Sequence, residues 1–561
     1  MVTYSENLFW IDLFVNNQHS YTVLPFEWWS TTFRHSVQEI GHTCLVLAPW
    51  HDPIPLTRAW CLWEIACTVM TGSQLTIQFS DSEREVFEEN IQEDFHVCMQ
   101  VLGNVAVEKS EAHSEDDRRR IMEVVKELDG DGDGFHYINV LITGLMRKWL
   151  THTAQELLRR YVGDMSNGEA GTNRENVYKT MNVVGSILSE QGNDDQAVEL
   201  YRLAYLGYKV KNGEDSENAV SVSQNLASAL VGMGDDASLT EAGELYRYGV
   251  EVRKKTLGGQ DARTLTSKFN LGTWYFEVGD VQQAHGLIEE TLKARRQVLG
   301  NEHGDTVSSM VTLATILTEL GRFDEASPYY EEVLRIKANI NFDDDDANLI
   351  LNTESLDVTS LHTMGEYAIL MHSVGNLQRA KIMSEACVKG YEKIYGHRSG
   401  TTAEALYNQG VIYDELNMHV EALVSLNKAL VVFEATGNNM QIDQCRILKN
   451  DLVTKLAKKK WKIGLLKLKA MMGFVLGSRN RAQAQVGSAS ASFANKTNKV
   501  VPSEKMHHPS EMMSGKGNAR HFSGKYARKN WNVTKPHSKK IDNDFGGESS
   551  LSDLMDHRSL Y

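Results

Sequence analysis

The chain has 561 residues, 42% hydrophobic and 24% charged, so most of it carries enough apolar side chains to form packed cores. It holds only 8 prolines and 6 scattered cysteines, which favours long helices and excludes a disulfide-stapled secreted fold. No run of about 20 apolar residues occurs and the first residues lack the features of a signal peptide, so we expect a cytoplasmic protein.

The formal net charge of −16 is unevenly distributed. Residues 455–561 carry 21 Lys and Arg against 7 Asp and Glu, so an acidic body is followed by a basic tail. Repulsion from phosphates makes sequence-specific nucleic acid an unexpected partner for the body. The tail over 478–561 is rich in Ser, Gly, Asn and Lys, a composition typical of disorder.

Residues 1–104 form the first predicted domain, a small α/β unit. The pattern predicts strands over 9–14, 43–47 and 74–79, and helices over 28–40 and Ala59–Met70. Strands that alternate with helices indicate parallel βαβ units. Polar residues at 16–19 and 49–53 follow two of these strands, where α/β folds commonly place ligands.

A Trp-Cys-x-x-Glu sequence opens the second predicted helix, formed by Trp60, Cys61 and Glu64. It resembles the third helix of Toll/interleukin-receptor (TIR) domains, whose enzymatic members cleave NAD with that glutamate. The Trp-Ile-Asp strand followed by Asn-Gln also resembles fungal heterokaryon-incompatibility domains. The family's opening strand and its glycine- and arginine-bearing loop are missing, which indicates a TIR-like domain truncated at its start. A purely structural carboxylate, paired with Arg58 or solvent, is the alternative reading of Glu64.

Residues 105–171 are predicted to be a helical connector. Within it, Asp129, Asp131 and Asp133 alternate with glycines as in a calcium-binding EF-hand loop. The position that should hold the bidentate glutamate is Val140, and the aliphatic position is His136. An acidic turn between helices is therefore favoured, and no metal site is predicted.

The middle of the chain repeats. A small residue recurs at Gly185, Ala227, Gly272, Ala314, Ala368 and Gly410. An alanine follows 12 residues later, or 15 in the second unit, at Ala197, Ala242, Ala284, Ala326, Ala380 and Ala422. Turn signals lie between the two columns, so each unit of about 42 residues is a helix-turn-helix whose small residues permit close helix crossing. Six such units predict a solenoid.

These units resemble tetratricopeptide repeats (TPR) of the kinesin light chain type, over 172–435. The inter-repeat linkers strengthen the resemblance, because Gly258, Gly300 and Gly396 each precede a threonine by six residues. The motif Asn-Leu-Ala/Gly also recurs, at 225–227 and 270–272. Kinesin light chains carry a heptad coiled coil before their repeats. Nothing heptad-like precedes this array, so the kinesin heavy chain is not expected as a partner.

In tetratricopeptide arrays the first helix of each unit lines a concave groove. We predict that peptide-binding residues here include Asn225, Asn270, Asn408, Gln224, Thr273 and Thr312. Further hydroxyls and amides fall at inward positions, namely Asn182, Ser186, Ser221, Ser228, Thr266, Ser308 and Thr315. Amides both donate to and accept from a peptide backbone, so the groove is expected to bind an extended peptide. Solvated surface residues are the alternative.

A helix over 436–477 is expected to follow the array. Its segment 458–476 is basic, with bulky residues at Trp461, Leu465, Leu468 and Phe474. This spacing resembles calmodulin-binding segments and also suits an anionic membrane. A cap that closes the solenoid is the third reading.

The sequence thus predicts a mainly α protein: a TPR superhelical solenoid preceded by a small α/β TIR-like domain. The expected function is a protein-protein interaction scaffold or adaptor, comparable to a kinesin light chain-like cargo or signalling adaptor and needing no cofactor. The alternative is an enzyme, a TIR-like NAD hydrolase that the array regulates, with NAD as its substrate.

Overall fold

A computed structural model describes residues 2–4, 7–9, 26–93, 95–103, 105–112, 114–128, 134–166, 174–342, 356–437 and 439–458. The described part is mainly helical, with an N-terminal module, one long helix and a solenoid of six helix pairs. None of its helices is both long and apolar enough to span a membrane. Four predicted segments lie outside the described residues: the first strand beyond Phe9 with the polar run 16–19, the acidic run 129–133, the basic segment beyond Lys458, and the tail.

The N-terminal module contains two small sheets. Strands β1 (Val2–Tyr4) and β2 (Asn7–Phe9) pair antiparallel, and β3 (His42–Val46) pairs in parallel with β4 (Gln74–Gln78). Helix α2 (Ala59–Met70) connects β3 to β4, which confirms the predicted βαβ unit. The module's other helices are α1 (Phe26–Ile40), α3 (Asp81–Glu93), α4 (Phe95–Gly103) and α5 (Glu115–Glu127). The described strands do not show the larger sheet that a TIR domain requires.

Helix α6 (Gly134–Ser166) joins this module to the solenoid. Its buried residues recur at every fourth position: Ile138, Ile142, Met146, Leu150, Ala154 and Leu158. Each step of four residues turns the buried face by about 40°, so the face rotates by about 200° along this stretch. The N-terminal half therefore packs on α4 and α5, while the C-terminal half packs on the first repeat. One hydrophobic core runs continuously from the module into repeats 1 to 3.

The solenoid consists of six repeats, each with a first and a second helix. The first helices are α7 (Arg174–Glu190), α9 (Glu217–Met233), α11 (Ala262–Glu277), α13 (Gly304–Glu319), α15 (Val358–Val374) and α17 (Gly400–Glu415). The second helices are α8 (Asp194–Asn212), α10 (Asp236–Thr256), α12 (Val281–Val298), α14 (Phe323–Ala338), α16 (Leu377–Tyr395) and α18 (His419–Thr436). These bounds confirm the helix-turn-helix units that the two small-residue columns predicted.

The small residues lie where the paired helices cross. A Cβ atom added to Gly185 would come within 2.9 Å of the Tyr201 ring, and one on Gly272 within 2.6 Å of Ile288. Gly410 meets Leu426 in the same way, at 2.8 Å. Each of these partners lies four residues after the alanine of the second column. A larger side chain would push the two helices apart, which explains the repeat spacing.

A helix over 439–458, α19, covers the end of repeat 6. Its residues Ile442, Cys445 and Leu452 are buried in one cluster with helix α18. The Lys455 ammonium group also lies 2.7 Å from a carboxylate oxygen of Asp414 in the first helix of repeat 6. Within the described part of the chain, this helix closes the solenoid.

Candidate peptide-binding groove

The first helices form the inner face of the solenoid. First helices contact one another across four of the five boundaries between repeats, for example α7 against α9 and α15 against α17, whereas second helices of successive repeats approach each other less closely. Long side chains span the wider gap, as in the 2.6 Å ion pair between Arg202 and Glu241 of two neighbouring second helices. An array that is tighter along its first helices curves toward them, so they line its concave side.

One position on each first helix carries most of the predicted ligand-binding amides. It lies two residues before the small residue, and we call these positions the groove column. The column contains Val183, Asn225, Asn270, Thr312, Glu366 and Asn408. The Asn225 Nδ2 donates to Asn182 Oδ1 at 2.9 Å, which joins the first helices of repeats 1 and 2. This bond shows that the column faces the neighbouring first helix on the inner side.

Two of the amides have unused hydrogen-bonding capacity. The side chains of Asn270 and Asn408 are half-buried, and neither makes a hydrogen bond with another described residue. Each amide offers two N–H donors and one carbonyl acceptor. Such groups match the alternating N–H and C=O groups of an extended peptide.

The side chains of several predicted groove residues form hydrogen bonds within the array instead. Gln224 is 6% exposed and its Nε2 donates to the Leu245 carbonyl at 3.1 Å. Thr312 is 1% exposed and donates to the Ser308 carbonyl at 2.9 Å. Thr273 is more exposed but donates to the Asn270 carbonyl at 2.8 Å. We therefore leave Gln224 and Thr312 out of the accessible groove.

In repeats 1 to 4 the residue that follows the small residue carries a hydroxyl group, whereas repeats 5 and 6 have Ile369 and Val411 there. The Tyr201 hydroxyl donates to Ser186 Oγ at 2.9 Å, and the Tyr330 hydroxyl lies 3.0 Å from Thr315 Oγ1. In repeat 3 the tyrosine position is Ile288, and Thr273 there bonds to its own helix. The hydroxyls of Ser186 and Thr315 therefore join the first helix to the second and are not free for a ligand.

Sequence reasoning missed Glu366, the one acidic member of the groove column. It is half-buried on α15 and makes no hydrogen bond or ion pair with a described residue. Burial raises the pKa of its carboxyl group above the ordinary value, and the charge of His362, one turn earlier, partly opposes this shift. Glu366 occupies the same repeat position as Asn270 and Asn408. This equivalence is visible in the sequence and could have identified Glu366 as a groove residue.

Two buried arginines make the same contact between neighbouring repeats, away from the groove. Arg295 is 1% exposed, and its Nη1 donates to Ser309 Oγ of the next repeat at 2.9 Å. Arg253, 42 residues earlier, donates in the same way to Ser267 Oγ at 3.0 Å. These cations hold neighbouring repeats together, and desolvation lowers the pKa of Arg295.

The predicted catalytic residue of the N-terminal module lies far along the chain from this groove. Glu64 is half-buried on α2, and its backbone carbonyl accepts from Thr68 Oγ1 at 2.8 Å. The neighbouring thiol of Cys67 is buried, which raises its pKa to about 12. The structure does not bring Glu64 together with the groove residues. Trp461, Leu465, Leu468 and Phe474, expected to bind calmodulin or lipid, lie outside the described residues.

Family comparison identifies the repeats. Tetratricopeptide-repeat models match residues 179–218, which overlap repeat 1, and 279–339, which overlap repeats 3 and 4. The chain carries tetratricopeptide repeats. No curated protein matches the sequence significantly.

Several solved structures are similar to part of the chain. BtubC from P. vanneervenii is 15% identical, with 45% of this chain and 92% of that chain covered and a TM-score of 0.36. The nearly identical TPR-like repeats of a candidate kinesin light chain from Podosopora anserina are 22% identical, with coverages of 40% and 98% and a TM-score of 0.33. The apo quorum sensor NprR from B. thuringiensis is 14% identical, with coverages of 66% and 100% and a TM-score of 0.34.

Proposed function

We propose that the chain is a non-enzymatic interaction scaffold whose TPR groove binds an extended peptide segment of a partner protein. The observation that carries this proposal is the groove column. It presents the amides of Asn225, Asn270 and Asn408 on first helices of three repeats, and two of these amides have no partner among the described residues. Amides at one repeated position bond to peptide backbone regardless of the ligand's side chains.

The expected ligand length follows from the repeat geometry. Packed helices lie about 10 Å apart and an extended peptide advances about 3.3 Å per residue, so one repeat corresponds to about three peptide residues. A segment that passes from Asn225 in repeat 2 to Asn408 in repeat 6 needs about twelve residues. A partner helix is a poorer fit, because its backbone N–H and C=O groups are already bonded to each other.

A library experiment tests this proposal. A phage-displayed random dodecapeptide library would be selected on the full chain, and in parallel on a variant with Asn225, Asn270 and Asn408 all changed to alanine. We expect peptides to be enriched on the native chain and not on the variant. Equal enrichment on both would contradict the proposed role of the groove column.

Finer assignments remain part of this proposal. A cytoplasmic cargo adaptor or signalling adaptor would use such a groove to bind its partner. The segment 458–476 is proposed to bind a second partner, either calmodulin or an anionic membrane. The TIR-like NAD hydrolase stays a prediction that rests on Glu64. NAD consumption by the native chain and by Glu64→Ala tests this prediction. Turnover by the native chain that is lost in Glu64→Ala would establish NAD hydrolase activity.

A further inference from the structure

We propose that Glu366 is a cation-binding subsite of the groove, so that the peptide ligand carries a lysine or arginine that pairs with this carboxylate. The inference rests on the proposed function, which it narrows to a class of ligand. It begins from a comparison of equivalent positions. Glu366 occupies on repeat 5 the position that Asn270 and Asn408 occupy on repeats 3 and 6.

Glu366 has no partner that accounts for its charge. It makes no hydrogen bond or ion pair with any described residue. The titratable groups that sense its charge are His362 on the same helix, Tyr330 on α14, and Cys387 and Tyr391 on α16. No lysine or arginine of the described part is among them, and His362 is the one described group here that can oppose the charge of Glu366 with a positive charge.

A half-buried carboxylate without a partner costs folding free energy, because desolvation disfavours its charged form. A hydrophobic or amide residue at this position would avoid that cost, as Asn270 and Asn408 do in their repeats. The carboxylate gains a compensating interaction when a ligand ammonium or guanidinium group approaches it. In the partly desolvated groove such a charge-assisted hydrogen bond is stronger than a neutral one.

The neighbouring repeats set the place of the cation in the peptide. Glu366 and Asn408 lie on adjacent first helices, so the basic residue is expected about three residues from the part of the peptide that Asn408 binds.

Binding is also expected to depend on pH in one direction. Burial holds the pKa of free Glu366 above its ordinary value, and a bound cation lowers it again. Binding therefore releases a proton from the fraction of Glu366 that is protonated. The affinity for a lysine-bearing peptide rises as the pH increases through the raised pKa, and levels off above it.

The experiment uses the same dodecapeptide library on the full chain, on Glu366→Gln, and on Glu251→Gln as a matched control. Glu251 is an exposed carboxylate on the second helix of repeat 2. We expect the native chain and the control to enrich peptides with a basic residue at one fixed position, and Glu366→Gln to lose that preference. The leading peptide and its lysine→norleucine form would then be titrated against each protein.

The native chain should bind the lysine peptide about tenfold or more tightly than the norleucine peptide, and Glu366→Gln should bind both equally. Enrichment of peptides with no basic preference would overturn this inference while leaving the proposed function intact. A preference that persists in Glu366→Gln would also overturn it. If neither protein enriched any peptide, the proposed function itself would fail. Circular dichroism of Glu366→Gln, expected to match the native spectrum, excludes misfolding as the cause of a loss.

Discussion

The hydroxyl of Tyr330 lies 3.0 Å from Thr315 Oγ1, and both residues are buried between the two helices of repeat 4. The Thr315 hydroxyl also donates to the Val311 carbonyl of its own helix at 3.1 Å. The pair thus links the second helix to the first. It also removes Thr315 from the set of groups that a peptide could contact.

Tyr330→Phe should lower the free energy of unfolding by about 0.5–1.5 kcal/mol, the usual contribution of one buried hydrogen bond. The matched control is Tyr329→Phe, since the Tyr329 hydroxyl makes no hydrogen bond with a described residue. Urea denaturation would measure both variants. Peptide affinity should not change in Tyr330→Phe, and a large loss of affinity would show that this hydroxyl belongs to the groove.

Glu366→Gln should raise the free energy of unfolding of the array, and the size of this increase should depend on pH. Because the pKa of Glu366 is raised in the folded chain, the folded state binds more protons than the unfolded state between the two pKa values. The native chain therefore loses stability as the pH rises from the unfolded pKa through the raised folded pKa. The variant lacks this titration.

Thermal melts over a pH series would measure the difference. The gain from Glu366→Gln should be negligible at acid pH and reach its maximum above the raised pKa. A variant that is less stable than the native chain at neutral pH would mean that Glu366 has a stabilising partner, and would argue against a subsite that awaits a ligand.

The long helix α6 reaches repeat 5 of the array. His136, near its start, lies against Gly396 at the end of the second helix of repeat 5, where a methyl group would overlap His136 Nε2. The neighbouring Tyr395 also senses the charge of Arg147 from the same helix. Since the other half of α6 packs on repeat 1, this helix joins repeats 1 and 5.

A double-mutant cycle tests this contact. Gly396 has a φ of 76°, so Gly396→Ala costs stability through backbone strain and through the clash with His136. In a His136→Ala background only the backbone strain remains, so Gly396→Ala should lower the free energy of unfolding by less. The difference between the two losses measures the energy of the clash between the two side chains. Equal losses in both backgrounds would show that His136 and Gly396 do not touch in solution.

The terminal helix is expected to protect repeat 6. Leu452 is 0% exposed, and Leu452→Ala should cost about 2–5 kcal/mol because it opens a cavity between α19 and the array. Ile447 on the same helix is 68% exposed, so Ile447→Ala is the control and should cost little. Hydrogen exchange of repeat 6 amides would show whether protection falls in the first variant alone. Unchanged protection would mean that α19 does not cap the solenoid.

The repeat architecture could be predicted because it depends on local rules. Small residues such as Gly185 and Gly272 must recur where two helices cross closely, so their spacing defines the unit. The helix Ala59–Met70 was predicted at its observed bounds for a similar reason, since its apolar positions follow a helical period between turn signals. The module's strands β3 and β4 also lie within a residue of their predicted bounds.

The groove was predicted less well, because accessibility depends on tertiary contacts. Whether a threonine is accessible depends on its surroundings in the fold: Thr315 bonds to Tyr330, and Thr312 is buried and bonds to the Ser308 carbonyl. The packing of α6 was also not predictable from hydrophobic periodicity. Its buried face rotates along the helix, so the sequence shows no constant apolar side. Its contact with Gly396 joins residues 260 positions apart, a pairing that no local pattern encodes.

The most direct test of the groove is calorimetric titration of a library-selected dodecapeptide into the full chain and two triple variants. One changes Asn225, Asn270 and Asn408 to alanine. The other, the control, changes Glu244, Gln283 and Asn427, exposed residues of second helices. Each lost backbone hydrogen bond should cost about 0.5–1.5 kcal/mol, so the groove variant should bind at least about tenfold more weakly, with unchanged helicity. The control should bind like the native chain. Native affinity in the groove variant would contradict the account.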